Sequence, residues 1–160
     1  MKNLKTIILS LILILISNSY SFASEKLFEE AKKKFEKKDF EKSKFLFQRN
    51  IVFNPKNAES YLYLAKIFKT EENQTEEEKN LDTTLLLQPD NEEAIYMLIN
   101  IKIDRSNFEK SNTLMNRFSS VCKSMCKKKK EISKQRKNGK QKIIKQIKSV
   151  CSCSFSLIYS

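Results

Sequence analysis

The sequence predicts an all-α chain built from a repeated pair of helices, and three observations predict it. First, 160 residues contain one glycine and two prolines, too few turn formers for an all-β chain, which needs a turn roughly every 8–12 residues. Second, the two prolines sit in like settings at i and i+34, in Asn54-Pro55-Lys56-Asn57 and Gln88-Pro89-Asp90-Asn91. Third, Asp39-Phe40-Glu41-Lys42-Ser43 returns at i+68, twice that period, as Asn107-Phe108-Glu109-Lys110-Ser111. Two unrelated landmarks with one period mark an internal repeat.

Residues 1–23 read as an address. Lys2 and Lys5 precede an apolar run from Ile7 to Ile16, interrupted by Ser10, and Ser21-Phe22-Ala23 ends the segment. Basic start, short apolar stretch and small residues at −3 and −1 make a secretory signal. The run is half of the roughly 20 residues that a membrane-crossing helix needs. Cleavage is expected after Ala23, in a chain destined for the periplasm or cell envelope.

Residues 24–121 are expected to hold three repeats, at about 24–57, 58–91 and 92–121. Leu27, Ala31 and Phe35 form one helical stripe, and Tyr61, Leu64, Ala65 and Phe68 form another. Phe40, Leu46, Phe47 and Ile51 make a second-helix stripe, as do Leu81, Leu85 and Leu87. Asn57 and Asn91 are N-cap candidates. Pro55 and Pro89 fall beyond helix ends, where a missing amide hydrogen costs little.

The spacing and these residues resemble the tetratricopeptide repeat (TPR) family, best over 58–91, where Tyr61, Leu64, Ala65, Phe68, Leu81, Thr84 and Pro89 match. In the third repeat Ile95, Leu98, Ile99, Met115 and Phe118 fit, while Lys123 stands at the proline position. In the first, Leu27, Ala31, Ser43, Phe47 and Pro55 fit, while Glu30 and Lys34 replace apolar residues. The resemblance implies a helical-hairpin solenoid of about three repeats whose first helices line a concave groove for a peptide or protein. Carried over position by position, the groove is expected from Phe28, Lys32 and Phe35, then Leu62, Tyr63, Lys66 and Lys69, then Tyr96, Asn100 and Ile103. Lys32, Lys66 and Asn100 share one repeat position. Two ammonium groups and an amide among aromatics suit an acidic or carboxylate-bearing extended peptide.

No enzyme is expected. Without histidine, the serines and cysteines lack the commonest general base. One glycine excludes a Gly-rich phosphate cradle. Glu71, Glu72 and Glu76–Glu78 suit the positive end of a helix better than a cation site, because successive helical residues do not converge on one ion. No metal or cofactor is implied.

The charge is uneven. The net +12 lies almost wholly beyond residue 121, where twelve basic residues face one acid, Glu131. Residues 122–150 are expected as a basic helix, with Ile143, Ile144, Ile147 and Val150 on one side and Lys142, Lys145 and Lys148 between them. Two uses of it stand open. It caps the open end of the array, or it holds the protein to an anionic membrane surface at roughly 1 kcal/mol per lysine. Nucleic acid is disfavoured by the export signal. Residues 151–160 are Ser/Cys-rich, without helical period, and are expected to be poorly ordered.

Four cysteines remain. In one helix, Cys122 and Cys126 would have Cβ atoms ~5–6 Å apart, against about 3.5–4.5 Å in a disulfide. Cys126 with Cys151, and Cys122 with Cys153, are both centred on Asn138-Gly139, the chain's best helix-stop signal. An antiparallel hairpin turning there is the expectation, closed by those two bridges.

Overall fold

The computed structural model describes residues 24–156, with side chains as far as residue 145. The expected signal segment lies outside the described residues. Every regular element among the described residues is an α-helix. They are α1 (24–36), α2 (Phe40–Phe53), α3 (Ala58–Thr70), α4 (Gln74–Leu87), α5 (Glu92–Asp104), α6 (Phe108–Val121) and α7 (Lys128–Ser156). No described helix is long and apolar enough to cross a membrane. The chain divides into two compact units, one ending at Gln88 with α1–α4 and one beginning at Pro89 with α5–α7.

The repeat is written in the helix ends. Asn57 Oδ1 accepts from Ser60 N at 3.0 Å, and Asn91 Oδ1 accepts from Ala94 N at 2.9 Å. Both are the expected caps. Asn73 and Asn107, also one period apart, cap α4 and α6 in the same way through the amides of Glu76 and Lys110. The turn inside each pair is closed by a left-handed residue that is not glycine: Lys38 (φ 60°), Glu72 (φ 57°) and Ser106 (φ 60°). Each lies one full period from the next. The amides of Lys38 and Asp39 bond back to Phe35 O and Lys34 O, and the pattern repeats at Glu72-Asn73 and Ser106-Asn107. This is a Schellman closure, in which a carbonyl three residues back and one five back are satisfied together. A left-handed side-chain-bearing residue costs roughly 1–2 kcal/mol. Here the paired closure bonds offset that cost, and the next residue is the N-cap of the following helix.

In the first unit one core cluster is Phe28, Ala31, Phe47, Leu64 and Ile67, with Phe35, Phe40, Leu46, Ile51, Tyr63 and Phe68 packed against it. Asn50, fully buried, joins three helices: its Nδ2 donates to the carbonyl and hydroxyl of Ser24, and its Oδ1 accepts from Ser60 Oγ at 2.9 Å. A buried amide with each of these bonds made fixes the register of α1, α2 and α3. In the second unit α5 is buried at Ala94, Ile95, Met97, Leu98, Ile99, Ile101 and Ile103. Phe118 of α6 and Ile132 of α7 are buried in that unit as well.

Two expectations for the carboxyl-terminal part are corrected. No hairpin turns at Asn138-Gly139; α7 is one helix from Lys128 to Ser156, passing through Gly139 and on beyond residue 150. Gly139 does not have a positive φ, so it does not end the helix. The pairing is also different: Cys122 is bonded to Cys126, with Cα atoms 5.3 Å apart. The distance objection held only for two residues in one helix. α6 ends at Val121, and Cys122 leaves it with φ −61° and ψ 133°, so both cysteines lie in the loop before α7. The side chains of Cys151 and Cys153 lie outside the described residues.

Candidate functional site

Within the first unit, the first helices α1 and α3 bring Phe28, Phe35 and Lys66 of the expected groove residues together around Tyr63. Its ring stacks on Phe47 at 4.9 Å and meets Phe35 and Phe28 edge-on at 5.1 and 6.0 Å. Lys66 Nζ stands 4.8 Å from the Tyr63 ring centroid, the geometry of a cation–π contact. Tyr63, Lys66, Lys32 and Phe35 are half-exposed, and Lys69 is exposed. A half-exposed aromatic beside lysines offers both an apolar contact and positive charge to a ligand.

Three of the ten expected groove residues are not surface. Phe28 is buried at 8% exposure, packed edge-on against Phe47 at 5.7 Å. Leu62 is buried at 6%. Ile103 is buried at 8%, beneath α7 where Gly139 passes. A repeat position gives direction from a helix, but whether the residue meets solvent depends on what lies over it.

In the second unit α7 covers part of α5. Tyr96 donates its hydroxyl to Glu131 Oε1 at 3.4 Å, and Lys128 Nζ lies 5.6 Å from the centre of its ring. Lys128 also pairs with Glu131 at 2.8 Å. That hydrogen bond, foremost, lowers the Glu131 carboxyl and raises the Lys128 ammonium from their ordinary values. Asn100 is half-buried, and its enclosed Oδ1 accepts no hydrogen bond among the described residues.

A feature not expected from the sequence lies at the start of α5. The Glu92 carboxylate accepts backbone N–H bonds from Lys123 at 2.8 Å, Ser124 at 3.2 Å and Met125 at 3.1 Å, and the Ser124 hydroxyl as well. These are the three residues inside the Cys122–Cys126 ring. The Ser124 hydroxyl first, then the Lys123 amide, hold the carboxyl down to about 2; desolvation opposes them, and the remaining amides add to the lowering. The Glu92-Glu93 pair following Asn91 was the visible signal, but an acidic first turn reads equally as dipole complementarity.

The solvent side of α7 is basic. Lys129, Lys130, Ser133, Lys134, Lys137, Asn138 and Gln141 line a shallow depression of about 470 Å³. Glu131 is the sole carboxylate between residues 128 and 145. Lys129 Nζ donates to Ser119 O at 3.4 Å, and Lys140 lies over the Phe108 ring at 5.4 Å. No cluster that could hold a metal ion occurs among the described residues.

No family model matches the chain, and no curated protein matches it. Solved structures do. The TPR domain of Arabidopsis OM64 is 17% identical, with a TM-score of 0.66 over 74% of this chain and 98% of that one. The Yersinia enterocolitica type III secretion chaperone SycD, in complex with a peptide of the translocator YopD, is 11% identical with a TM-score of 0.62, over 74% and 92%. The first TPR of Spaghetti (RPAP3), bound to the HSP90 peptide SRMEEVD, is 12% identical with a TM-score of 0.63, over 76% and 93%. The fold is all-α, of the TPR helical-hairpin type: three helix pairs followed by a basic helix.

Proposed function

We propose that the protein is a non-catalytic interaction module that takes an acidic, extended peptide segment of a partner protein along α1 and α3. The observation that carries this is the Tyr63–Lys66 pair on an aromatic base, with Lys32 at the equivalent position one repeat earlier. The RPAP3 neighbour's peptide, SRMEEVD, ends in three acidic residues out of its last four. A ligand of that chemistry would place carboxylates against Lys32, Lys66 and Lys69 and its apolar side chains against Phe35 and Tyr63. We place the protein in the periplasm or cell envelope; what supports this is the order of basic, apolar and small residues over 1–23.

The test is titration of a fluorescent heptapeptide ending in acidic residues against the full chain, with an uncharged peptide as control. Saturable, salt-weakened binding is expected for the acidic peptide, reduced at least about tenfold by K32E/K66E, with an unchanged circular-dichroism spectrum as the control for folding. Equal binding of both peptides, or indifference to K32E/K66E, overturns it.

A second reading makes the protein an adaptor on an anionic membrane surface, and the basic side of α7 favours it. Ile144, half exposed at 52%, lies beside these lysines, as in helices that rest in a headgroup layer. Co-sedimentation with phosphatidylglycerol vesicles that is lost in K130E/K134E/K137E supports it. Equal sedimentation with neutral vesicles rejects it.

A further inference from the structure

We propose that the Cys122–Cys126 bridge is an exchangeable redox clasp that holds α7 against α5. The bridge closes a ring of five residues, and the three residues inside it turn consecutive amides onto one carboxylate, that of Glu92. An open chain has to restrict several backbone torsions to aim three successive N–H groups at one point; the ring restricts them in advance. The loop leads directly into the contact between α7 and α5. Lys128 and Glu131 engage Tyr96, Ile132 is fully buried, and Gly139 passes over Phe108 and Ile103. The clasp therefore sits at the entry to a helix that covers Tyr96 and Ile103, two first-helix positions of the third pair.

Both cysteines are half-exposed, open to a small dithiol. Lys123 lies inside the ring and Lys127 directly follows it, and nearby ammonium groups favour the thiolate that leaves during exchange. In the exchange, a thiolate of an external dithiol attacks one sulfur and the Cys122–Cys126 bond breaks. The attacked cysteine is held in a mixed disulfide while the other leaves as thiolate and takes a proton. The second thiol of the reductant then displaces the first cysteine. The protein gains two electrons and two protons as two thiols, and the reductant departs as its own disulfide. The opened loop loses its hold on Glu92, and α7 lifts from Tyr96 and Ile103. This goes beyond the peptide-binding reading and does not depend on what α1 and α3 bind.

The experiment is amide hydrogen exchange read by mass spectrometry on the full chain carrying C151S/C153S, so that one cysteine pair remains. Oxidised and dithiothreitol-reduced samples are compared, with thiol alkylation confirming each state. On reduction, residues 123–125 and 128–145 should exchange at least about tenfold faster, the scale of losing hydrogen bonds to a charged group. α1–α4 should be unchanged. C122S/C126S without reductant, and E92Q in the oxidised protein, should reproduce the fast pattern. Unchanged exchange after confirmed reduction overturns the clasp. So does acceleration spread equally over α1–α4, which would make the bridge a general staple, and so does peptide mapping that finds no Cys122–Cys126 link in the oxidised protein.

Discussion

Gly139 lies against Phe108: a Cβ built on it would stand 3.4 Å from ring carbon Cε1 and 3.5 Å from Cζ. Both are ordinary contact distances, and the backbone there is helical without a positive φ. Alanine is therefore accommodated, gains contact with the ring and removes the flexibility of glycine inside a helix. G139A should raise stability by about 0.5–1 kcal/mol, seen as a higher midpoint in thermal or urea unfolding. A loss of stability would indicate a left-handed pivot at 139, and with it the hairpin.

The same residue shows why the helix pairs were legible in the sequence and their ends less so. Pro55 and Pro89 mark the turns between pairs, and the caps Asn57 and Asn91 follow them by two residues. Lys38, Glu72 and Ser106 close the turns inside the pairs with side-chain-bearing residues in a conformation that composition associates with glycine. Those turns contain no glycine, and the caps that follow them, Asn73 and Asn107, stand beside no proline. Gly139 invited the opposite error, since glycine ends a helix only when its φ is positive. For the candidate site, periodicity identified Phe35, Tyr63 and Lys66, but burial of Phe28, Leu62 and Ile103 depends on neighbours distant in sequence. Glu92 shows in the sequence only as part of an acidic first turn, because its partners are amides beyond the far end of the next helix.

Ser43 and Ser111, the last residues of the repeated five-residue motif, differ in one bond. Ser43 Oγ donates to Ala31 O at 2.9 Å, whereas Ser111 Oγ is buried without a partner among the described residues. Ile99 stands where Ala31 does in the first pair. S111A should therefore stabilise the protein by about 1 kcal/mol, because it removes a desolvated hydroxyl. S43A should destabilise it by about 0.5–1.5 kcal/mol. Urea unfolding of the two variants side by side checks the sign of each; equal effects would remove the distinction.

Export predicts a defined start to the mature chain. Cleavage after Ala23 leaves Ser24 first, and both oxygens that Asn50 holds, the carbonyl and the hydroxyl, belong to Ser24 itself. The cut is thus expected to preserve the buried junction of α1, α2 and α3. Amino-terminal sequencing of protein recovered from the cell envelope should begin at Ser24. A Met1 start there would overturn the export reading.

Glu92 sets a pH dependence whose sign follows from its carboxyl being held at about 2, against an ordinary value of 4.5. A carboxyl lowered on folding stabilises the folded state fully above its unfolded value, and that contribution fades as pH falls towards the folded one. The hold of the 122–126 loop on α5 should therefore be intact above about pH 5 and decline between roughly pH 4.5 and 2. E92Q has no such proton to take up. Unfolding midpoints of the native chain and E92Q, compared at several pH values, should be separated by a constant gap above pH 5 that closes on acidification through this window. Other carboxylates titrate over the same range in both proteins, so the difference between them isolates Glu92. A gap that stays constant down to pH 2 would mean that the ring amides and the Ser124 hydroxyl do not hold the charged form in solution.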